Sequence, residues 1–458
     1  MHVQEKLKAC VKKHLVCILG IAFGVFAPNA LAFDAEPKSR VFDIAFENSS
    51  TYSISMWVPF GSTSDSIPGI AHVLEHLKFK NSDGKGFATF DAIPGSNSNA
   101  ATNYTFTRYD LNIPPSGLVE ALKSLARITT PLVVTEADVK TEKGIVTQEL
   151  LERTESDPDT RFLLDFNSAL YKGLPLEKYP GGRVEDVAAV TLKDVVAFDA
   201  AHYHNSPFYL QIAGPYLSSE NRTAIKAIFP NAVFGSMLVN REMRVKHEDE
   251  KLMSLPALIP VEAIKTFAID RFERTKTSDR VKVPKFTWAK IVAAPTPWRA
   301  VAAASVLQDA MRSRLAEGLR DKISDDAGLV QDWDLSVARA YEGVWQIRFS
   351  ASLQPNVTPA QMTQIIEAYL SDFAARGLSA ASFERLKKRN FLFSEWENAD
   401  ARVQSLGQDI VDFGLKKASS YVDELRALEQ SDVNSLAVTL QKPGRVGIGL
   451  LLPQGTAQ

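Results

Sequence analysis

Cysteine is almost absent from this sequence of 458 residues. The two cysteines, Cys10 and Cys17, lie within the first 32 residues, so disulfides cannot hold the rest of the chain together. A chain of this length can bury a sufficient apolar core without such crosslinks. An excess of one charge is also missing, because 52 Lys and Arg residues face 54 Asp and Glu residues. The net charge of −2 provides no strong basic field for nucleic acid.

The N-terminal segment lacks a hydrophobic run long enough to cross a membrane. Residues 15–27 form an apolar run of 13 residues, which is too short to span a bilayer comfortably. Lysines precede the run, and Ala30-Leu31-Ala32 offers a small-x-small cleavage site. We interpret residues 1–32 as a cleavable signal peptide that exports the chain to the periplasm, with full secretion still open. The alternative is an uncleaved anchor; a cleaved signal predicts no stable membrane insertion.

The whole sequence has 45% hydrophobic and 23% charged residues, which is typical of a globular protein. The pattern of the residues after position 32 predicts an α+β protein with two similar halves. Each half alternates strand-like and helix-like segments, and the order in the second half roughly repeats that in the first. We predict an N-terminal domain over residues 33–235 and a C-terminal domain over residues 284–458. Residues 236–283 carry clusters of charge and are predicted to form the interdomain linker.

The most informative motif begins at Pro68, in a segment predicted to be helical. His72 and His76 are four residues apart, so both rings project from one face of a helix, with Glu75 beside them. Two imidazoles and carboxylates are typical ligands of a catalytic zinc ion, and H-x-x-E-H is the inverted zincin motif. The alternative is a pair of surface histidines that bind nothing. The motif predicts one Zn²⁺ per chain.

A third ligand is predicted in the helical segment that follows Thr135. Glu142 and Glu149 lie two turns apart on a face that they share with aliphatic residues. A carboxylate buried among such residues is costly unless it is paired or binds a metal. We therefore predict that Glu149 is the third ligand and that Glu142 orients a histidine. An ordinary salt bridge is the alternative for Glu142.

Several segments together resemble the insulinase/pitrilysin family of zinc metallopeptidases, in the short form that is similar to the mitochondrial processing peptidase beta subunit. Residues 69–80 resemble the zinc-binding helix of this family. Residues 142–149 resemble its third-ligand helix, which begins at a similar distance from the zinc-binding helix. The other similar segments are Asn99-Ala100-Ala101-Thr102 with Thr107 and Tyr109, residues 203–207, Ser313-Arg314-Leu315, and residues 319–322.

The resemblance implies the fold and the way in which substrate binds. Each half is expected to be a mostly antiparallel sheet packed with helices, so that the chain forms half of a clamshell. An extended peptide is expected to add as a strand near residues 97–107. Asn99, Ala100 and Thr102 are the substrate-binding residues that the resemblance predicts.

The resemblance also implies the reaction. A zinc ion on His72, His76 and Glu149 is expected to polarise the scissile carbonyl, while Glu75 takes a proton from water and delivers it to the leaving nitrogen. Related enzymes are expected to use an Arg and a Tyr from the second domain to stabilise the oxyanion. Arg320 occupies the matching Arg position. The expected Tyr falls near Gln331, and Tyr341 is a possible substitute for which a core position is favoured.

This departure from the family pattern motivates a hypothesis about partners. A related subunit supplies the Arg/Tyr pair in a heterodimer, or two copies of this chain form a self-dimer, and two such chains close one chamber around a peptide. Two other functions are considered beside that of an endopeptidase. One is a non-catalytic family member that binds peptides or supports an assembly, and the other is a zinc amidase that acts on cell-wall peptides.

Overall fold

The computed structural model describes residues 39–45, 49–80, 92, 95–204, 206–239, 245–247, 263–323, 328–355, 357–394 and 399–455. Within these ranges, side chains are described except for residues 80, 155, 236–247, 316–323, 393–394, 399–405, 415 and 419. The predicted signal peptide lies outside the described residues. Among the helices that are described, none combines the length and the apolar character needed to cross a bilayer.

A seven-stranded sheet is the centre of the first half. Its strands in chain order are β1 (Arg40–Ala45), β2 (Tyr52–Val58), β3 (Asn97–Thr102), β4 (Thr107–Ile113), β5 (Tyr209–Gly214), β6 (Val233–Val239) and β7 (Val245–His247). The spatial order is β3-β4-β2-β5-β1-β6-β7. Only the pairs of β1 with β5 and with β6 are parallel. The sheet is therefore mostly antiparallel, and β3 is one of its edges.

Helices cover this sheet and supply its hydrophobic core. They are α1 (Ile70–Lys80), α2 (Leu118–Ala126), α3 (Glu136–Leu150), α4 (Pro158–Leu170), α5 (Val184–Ala189), α6 (Leu192–His202) and α7 (Ser219–Ile228). A π-helical turn (Leu151–Glu155) extends α3, and short 3₁₀ turns span Ser62–Ser64, Pro115–Gly117, Arg127–Thr129 and Pro175–Glu177. Buried side chains of β2, α1, α2 and α3 form one contiguous core. Burial of these apolar faces holds α1 and α3 side by side.

The second half repeats this arrangement on a five-stranded sheet. Its strands are β8 (Arg271–Ser278), β9 (Lys285–Ala293), β10 (Val330–Tyr341), β11 (Val344–Leu353) and β12 (Arg445–Pro453). Its helices are α8 (Trp298–Ile323), α9 (Pro359–Arg376), α10 (Ala380–Ser394), α11 (Ala399–Phe413), α12 (Leu415–Ala427) and α13 (Gln430–Thr439). The strand order is β10-β11-β9-β12-β8, with only β8 and β12 parallel.

The two sheets share one topology. The sequence β3-β4-β2-β5-β1 in the first sheet corresponds, strand for strand and in pairing direction, to β10-β11-β9-β12-β8 in the second. This correspondence confirms the predicted α+β fold with two similar halves. The domain boundaries stay predictions. The stretch 236–283, predicted as a linker, contributes β7 and β8, which form edge strands of the two sheets.

The two halves exchange helices across their boundary. Helix α4, from the first half, packs on β12, where Phe162 and Phe166 lie against Gly449 and Gly447. Helix α11, from the second half, packs on β2 and β5 of the first sheet. Each sheet thus has one face covered by a helix from the other half. Because each half needs the other to bury a sheet face, residues 38–458 form one compact unit.

Candidate metal centre

The start of α1 is fixed by a carboxylate. Both oxygens of the buried Asp65 side chain accept backbone hydrogen bonds, from Gly69 N at 2.7 Å and from Ala71 N at 3.1 Å. Lys178 donates to the backbone oxygen of Asp65 at 2.6 Å. Gly69 itself has a φ of +86° and leaves no room for a Cβ beside Gly182. The first turn of α1 is therefore held in place directly before the motif histidines.

The motif residues converge inside the protein. His72, Glu75 and His76 are 8%, 4% and 9% exposed, and each offers a ligand atom within 4.8 Å of those of the other two. The two imidazole rings lie edge to face, with their centroids 5.1 Å apart. Helical geometry explains this proximity, because residues at i, i+3 and i+4 share one face.

Helix α3 brings two carboxylates to the same place. A capping box formed by Thr135 and Asp138 begins the helix. Glu149 Oε1 lies 3.8 Å from His72 Nε2, and its Oε2 lies 3.5 Å from His76 Nε2. Glu142 Oε2 lies 3.3 Å from His76 Nδ1. The structure thus brings together the four residues that were predicted as the ligands and the orienting carboxylate.

The spacing of these donor atoms fits a tetrahedral ion. Two ligands that are each about 2.1 Å from zinc, at a tetrahedral angle, lie about 3.4 Å from one another. The distances from Glu149 to the two Nε2 atoms are close to this value. The second nitrogen of His76 faces Glu142, which is how a metal-binding histidine is commonly oriented.

The electrostatics of the centre favour a cation between the helices. Burial, followed by the neighbouring His76, lowers the pKa of His72 to about 4, so this imidazole is neutral and can donate its lone pair. Burial also lowers the pKa of His76, but hydrogen bonds with Glu142 and Glu149 outweigh this effect and raise the pKa to about 9. The hydrogen bond from His76 lowers the pKa of Glu149, which is therefore ionised at neutral pH.

Glu75 lies beside the predicted ligands in a different environment. Burial raises the pKa of Glu75 to about 7. A carboxyl group with a pKa near neutrality can both accept and release a proton at physiological pH. Thr102 Oγ1 donates a hydrogen bond to Glu75 Oε2 at 2.6 Å. Glu75 therefore lies beside the predicted ligands with a pKa that suits proton transfer.

The predicted substrate-binding residues lie on an edge strand of the first sheet. Within the part of the chain that the structure describes, strand β3 pairs with β4 only, and Asn99 on it is exposed, while Ala100 is half-buried. The backbone of this edge is available for another strand. The hydroxyl of Thr102, by contrast, faces Glu75. Peptide binding by these three residues stays a prediction.

Arg153 was not predicted from the sequence. Its Nη1 lies 2.5 Å from Glu149 Oε1, and its side chain is 76% exposed. The π-helical turn that follows α3 carries it. The i,i+4 spacing of Glu149 and Arg153 is the signal that could have identified this ion pair.

The residues of the second half that were considered for stabilising the oxyanion lie in different environments. Arg320 is in α8, where its side chain lies outside the described residues. Gln331 is exposed on β10. Tyr341, at the end of the same strand, packs in an apolar cluster between the halves that includes Phe166 and Tyr171. A packing role for Tyr341 is consistent with the core position favoured above.

Two family models match the chain. The one described as Insulinase (Peptidase family M16) matches residues 41–179, and the one described as Peptidase M16 inactive domain matches residues 189–390. The candidate metal centre lies entirely within the first match.

Relatives are similar over different parts of the chain. The zinc protease PqqE of Helicobacter pylori is 28% identical over 181 residues, which are 38% of this chain and 41% of that protein. The uncharacterized zinc protease ML0855 of Mycobacterium leprae is 24% identical over 88% of this chain and 86% of its own. The mitochondrial-processing peptidase subunit beta of Mus musculus is 26% identical over 48% of each chain. The first and third matches therefore span less than half of those relatives.

Solved structures share the fold. A protease from Helicobacter pylori has a TM-score of 0.73 and 21% identity, covering 91% of this chain and 98% of its own. The periplasmic protease PqqL from Escherichia coli has a TM-score of 0.67 and 15% identity, covering 91% of this chain but 46% of its own.

The fold and the site define a class: two sheet-plus-helix halves, with buried histidines and glutamates converging in the first half. Relatives of this class are named zinc proteases. The chain carries domains of peptidase family M16, the insulinase family. This finding confirms the resemblance predicted from the motifs.

Proposed function

We propose that this protein is a zinc-dependent endopeptidase that hydrolyses peptides or short unfolded polypeptides. The observation that carries the proposal is the convergence of His72, His76 and Glu149, from two separate helices, with the buried Glu75 beside them. Imidazole and ionised carboxylate are a donor set that suits zinc, and His76, which is protonated at neutral pH without a metal, releases its proton when zinc binds.

Each residue has a defined role in the proposed reaction. His72, His76 and Glu149 hold the ion, and Glu142 keeps the His76 ring in its orientation. A zinc ion bound there supplies a Lewis acid that polarises a carbonyl and lowers the pKa of water. Glu75 accepts a proton from the attacking water and returns it to the leaving nitrogen. Its pKa near 7 suits both transfers.

The substrate is proposed to bind in an extended conformation. A peptide that pairs with the free edge of β3 uses the backbone of residues 97–102, which is available beyond the pair with β4. Asn99 and Ala100 are then beside the peptide. Arg320 is proposed to stabilise the oxyanion, as the resemblance implies.

The compartment is proposed to be the periplasm. The signal-like composition of residues 1–32 supports export, and the absence of cysteine from residues 33–458 is compatible with an exported protein. PqqL, which shares the fold, is described as a periplasmic protease.

A partner subunit is proposed to complete the chamber. This chain corresponds to 46% of PqqL, so a second chain of similar size is needed to form an equivalent body. The partner is a related subunit that supplies an Arg/Tyr pair, or a second copy of this chain. The protein purified alone is expected to cleave peptides poorly and to gain activity with its partner. Full activity in a strict monomer would contradict this part of the proposal.

Metal content and cleavage of a quenched peptide library test the enzymatic proposal. We expect about one zinc per chain and metal-dependent cleavage. Glu75→Gln should retain zinc and lose at least about 100-fold in kcat, as expected when a general base is removed. Glu152→Gln, at an exposed carboxylate just beyond α3, is the matched control and should change neither the zinc content nor kcat. Cleavage retained by Glu75→Gln would exclude Glu75 as the base.

A second candidate is a non-catalytic family member that binds peptides or supports an assembly. The observation that favours it is the match of residues 189–390 to a model described as an inactive domain. This match does not include the residues of the metal centre. Peptide binding without cleavage, at full zinc occupancy and with any partner present, would support this candidate over the first.

A further inference from the structure

Thr102 lies on the edge strand where substrate is expected, yet its hydroxyl donates a hydrogen bond to Glu75. We propose that Thr102 is a positioning residue that holds the carboxylate of Glu75, and that it is not a peptide contact. The inference rests on the proposed function, because it concerns the general base of that reaction. In this proposal, the hydroxyl of Thr102 acts on Glu75, the residue that transfers the proton.

The contact between the two side chains is short and buried. Thr102 Oγ1 donates to Glu75 Oε2 at 2.6 Å, and Glu75 is 4% exposed. Among the described residues, this is the only hydrogen bond of the Glu75 carboxylate. A hydrogen bond to a charged acceptor is stronger than one between neutral groups, and it fixes one oxygen of the carboxylate. In the proposed reaction, the other oxygen is left to accept the proton of water.

A second hydroxyl lies behind Thr102. Thr107 is its cross-strand neighbour on β4, and the two Oγ1 atoms are 3.4 Å apart. Thr107 donates its own proton to the backbone oxygen of Phe60 at 3.0 Å. Since a hydroxyl has one proton, Thr107 Oγ1 can only accept from Thr102.

The Thr102 hydroxyl donates to Glu75 Oε2, with Thr107 Oγ1 behind it. In the proposed reaction, one O–H bond of water breaks and a new O–H bond forms at the other oxygen of Glu75. The hydrogen bond at Oε2 can therefore persist during the proton transfer and hold the carboxyl group in place.

Aromatic side chains close the space behind these hydroxyls. Tyr109 and Tyr203 are fully buried, and the pKa of each is raised, mainly by burial and also by the nearby charge of Glu75. Tyr203 belongs to the segment 203–207, which resembles the insulinase/pitrilysin family and to which no role in the reaction was assigned. Such a wall limits the access of bulk water to the rear of Glu75, which increases the importance of its hydrogen bond with Thr102.

Three substitutions test the proposal in the zinc-loaded protein with its partner. Thr102→Val keeps the shape of the side chain and removes the hydroxyl, and it should lower kcat about 10-fold to 100-fold, as expected for loss of a hydrogen bond to a charged group. KM should stay within about twofold, and zinc content should not change. Thr102→Ser should restore most of kcat. Thr105→Val, in the same hairpin but directed at Asp412, is the matched control.

Three outcomes would overturn the proposal. The first is an unchanged kcat in Thr102→Val. The second is a kcat of Thr102→Ser that is as low as that of Thr102→Val. The third is a rise in KM with kcat unchanged in Thr102→Val, which would indicate that Thr102 contacts the peptide.

A measurement without substrate separates this inference from the proposed function. In the metal-free protein, Thr102→Val and Glu75→Met should together shift the urea midpoint by less than the sum of their single effects, because the first removes the donor and the second the acceptor of the same hydrogen bond. If the zinc-loaded wild type cleaves nothing, the proposed function fails while this coupling still stands. Strict additivity of the two substitutions overturns the inference, whether or not the protein is a peptidase.

Discussion

The buried ion pair between Lys78 and Asp199 predicts a large loss of stability when one of the two charges is removed. Lys78 extends from α1, and its side chain is completely buried against Asp199 on α6. Lys78 also donates to the backbone oxygen of Thr130 at 2.8 Å and lies over the ring of Tyr203. Asp199 accepts from Leu132 N at 2.7 Å. Each charge is therefore desolvated and depends on the other.

Removal of one partner leaves the other charge buried and unpaired. Breaking such a pair costs about 3–5 kcal/mol, whereas an exposed pair contributes ~1 kcal/mol or less. Asp199→Asn keeps an acceptor for Leu132 N but removes the charge and the acceptor oxygen that faces Lys78. With a urea m-value of about 3 kcal/mol/M, this substitution should lower the unfolding midpoint by about 1 M or more. Adding Lys78→Met should restore part of the loss, because the unpaired ammonium is then absent.

The measurement is urea unfolding of the metal-free protein, followed by circular dichroism. Asp423→Asn removes an exposed carboxylate that pairs with Arg426, and it is the control, with an expected cost below about 1 kcal/mol. A cost for Asp199→Asn as small as that of the control would refute the reasoning. The reasoning would also be refuted if the double variant Asp199→Asn/Lys78→Met lost as much stability as the sum of the losses in the two single variants.

Further predictions concern the metal centre and the packing of the halves. Glu142→Ala should weaken zinc binding about 10-fold to 100-fold in a chelator competition, since it removes the carboxylate that orients a ligand; unchanged affinity would exclude that role. Gly407→Val should destabilise by about 1–3 kcal/mol, because a Cβ would overlap the ring of Trp57. Gly144→Ala, in open space on α3, should instead stabilise by about 0.5–1 kcal/mol in the same urea assay. Burial raises the pKa of Asp65 to about 7, so the folded protein retains a proton that the unfolded chain releases from about pH 4. Stability of the wild type relative to Asp65→Asn should therefore fall as the pH rises from 4 to 7, and parallel curves would contradict this.

The local geometry of the motif could be predicted because it depends on few residues. The placement of His72, Glu75 and His76 on one face follows from the 3.6-residue repeat of a helix, and the structure has that helix over Ile70–Lys80. The helical segment predicted after Thr135 likewise begins there in the structure, where Thr135 and Asp138 form a capping box.

Other features of the site depend on contacts that a single helix or strand does not reveal. The resemblance predicts Thr102 as a substrate-binding residue on the edge strand. The hydrogen bond of its hydroxyl with Glu75 depends on the packing of α1 against β3, which the sequence does not reveal. The exchange of α4 and α11 between the halves was not predicted either, because an amphipathic pattern shows that a helix has a buried face and does not show which sheet covers it.

The amino-acid sequence by itself determined the residue types of the centre, their spacing within each helix and the similarity of the two halves, since these follow from chain geometry and local pattern. Tertiary structure alone decided that Glu149 approaches the two imidazoles across the gap between α1 and α3. It also decided that Thr102 and Asp65 support the centre. The physical reason is that distances between separate elements are set by the burial of a shared core, to which residues from the entire first half contribute.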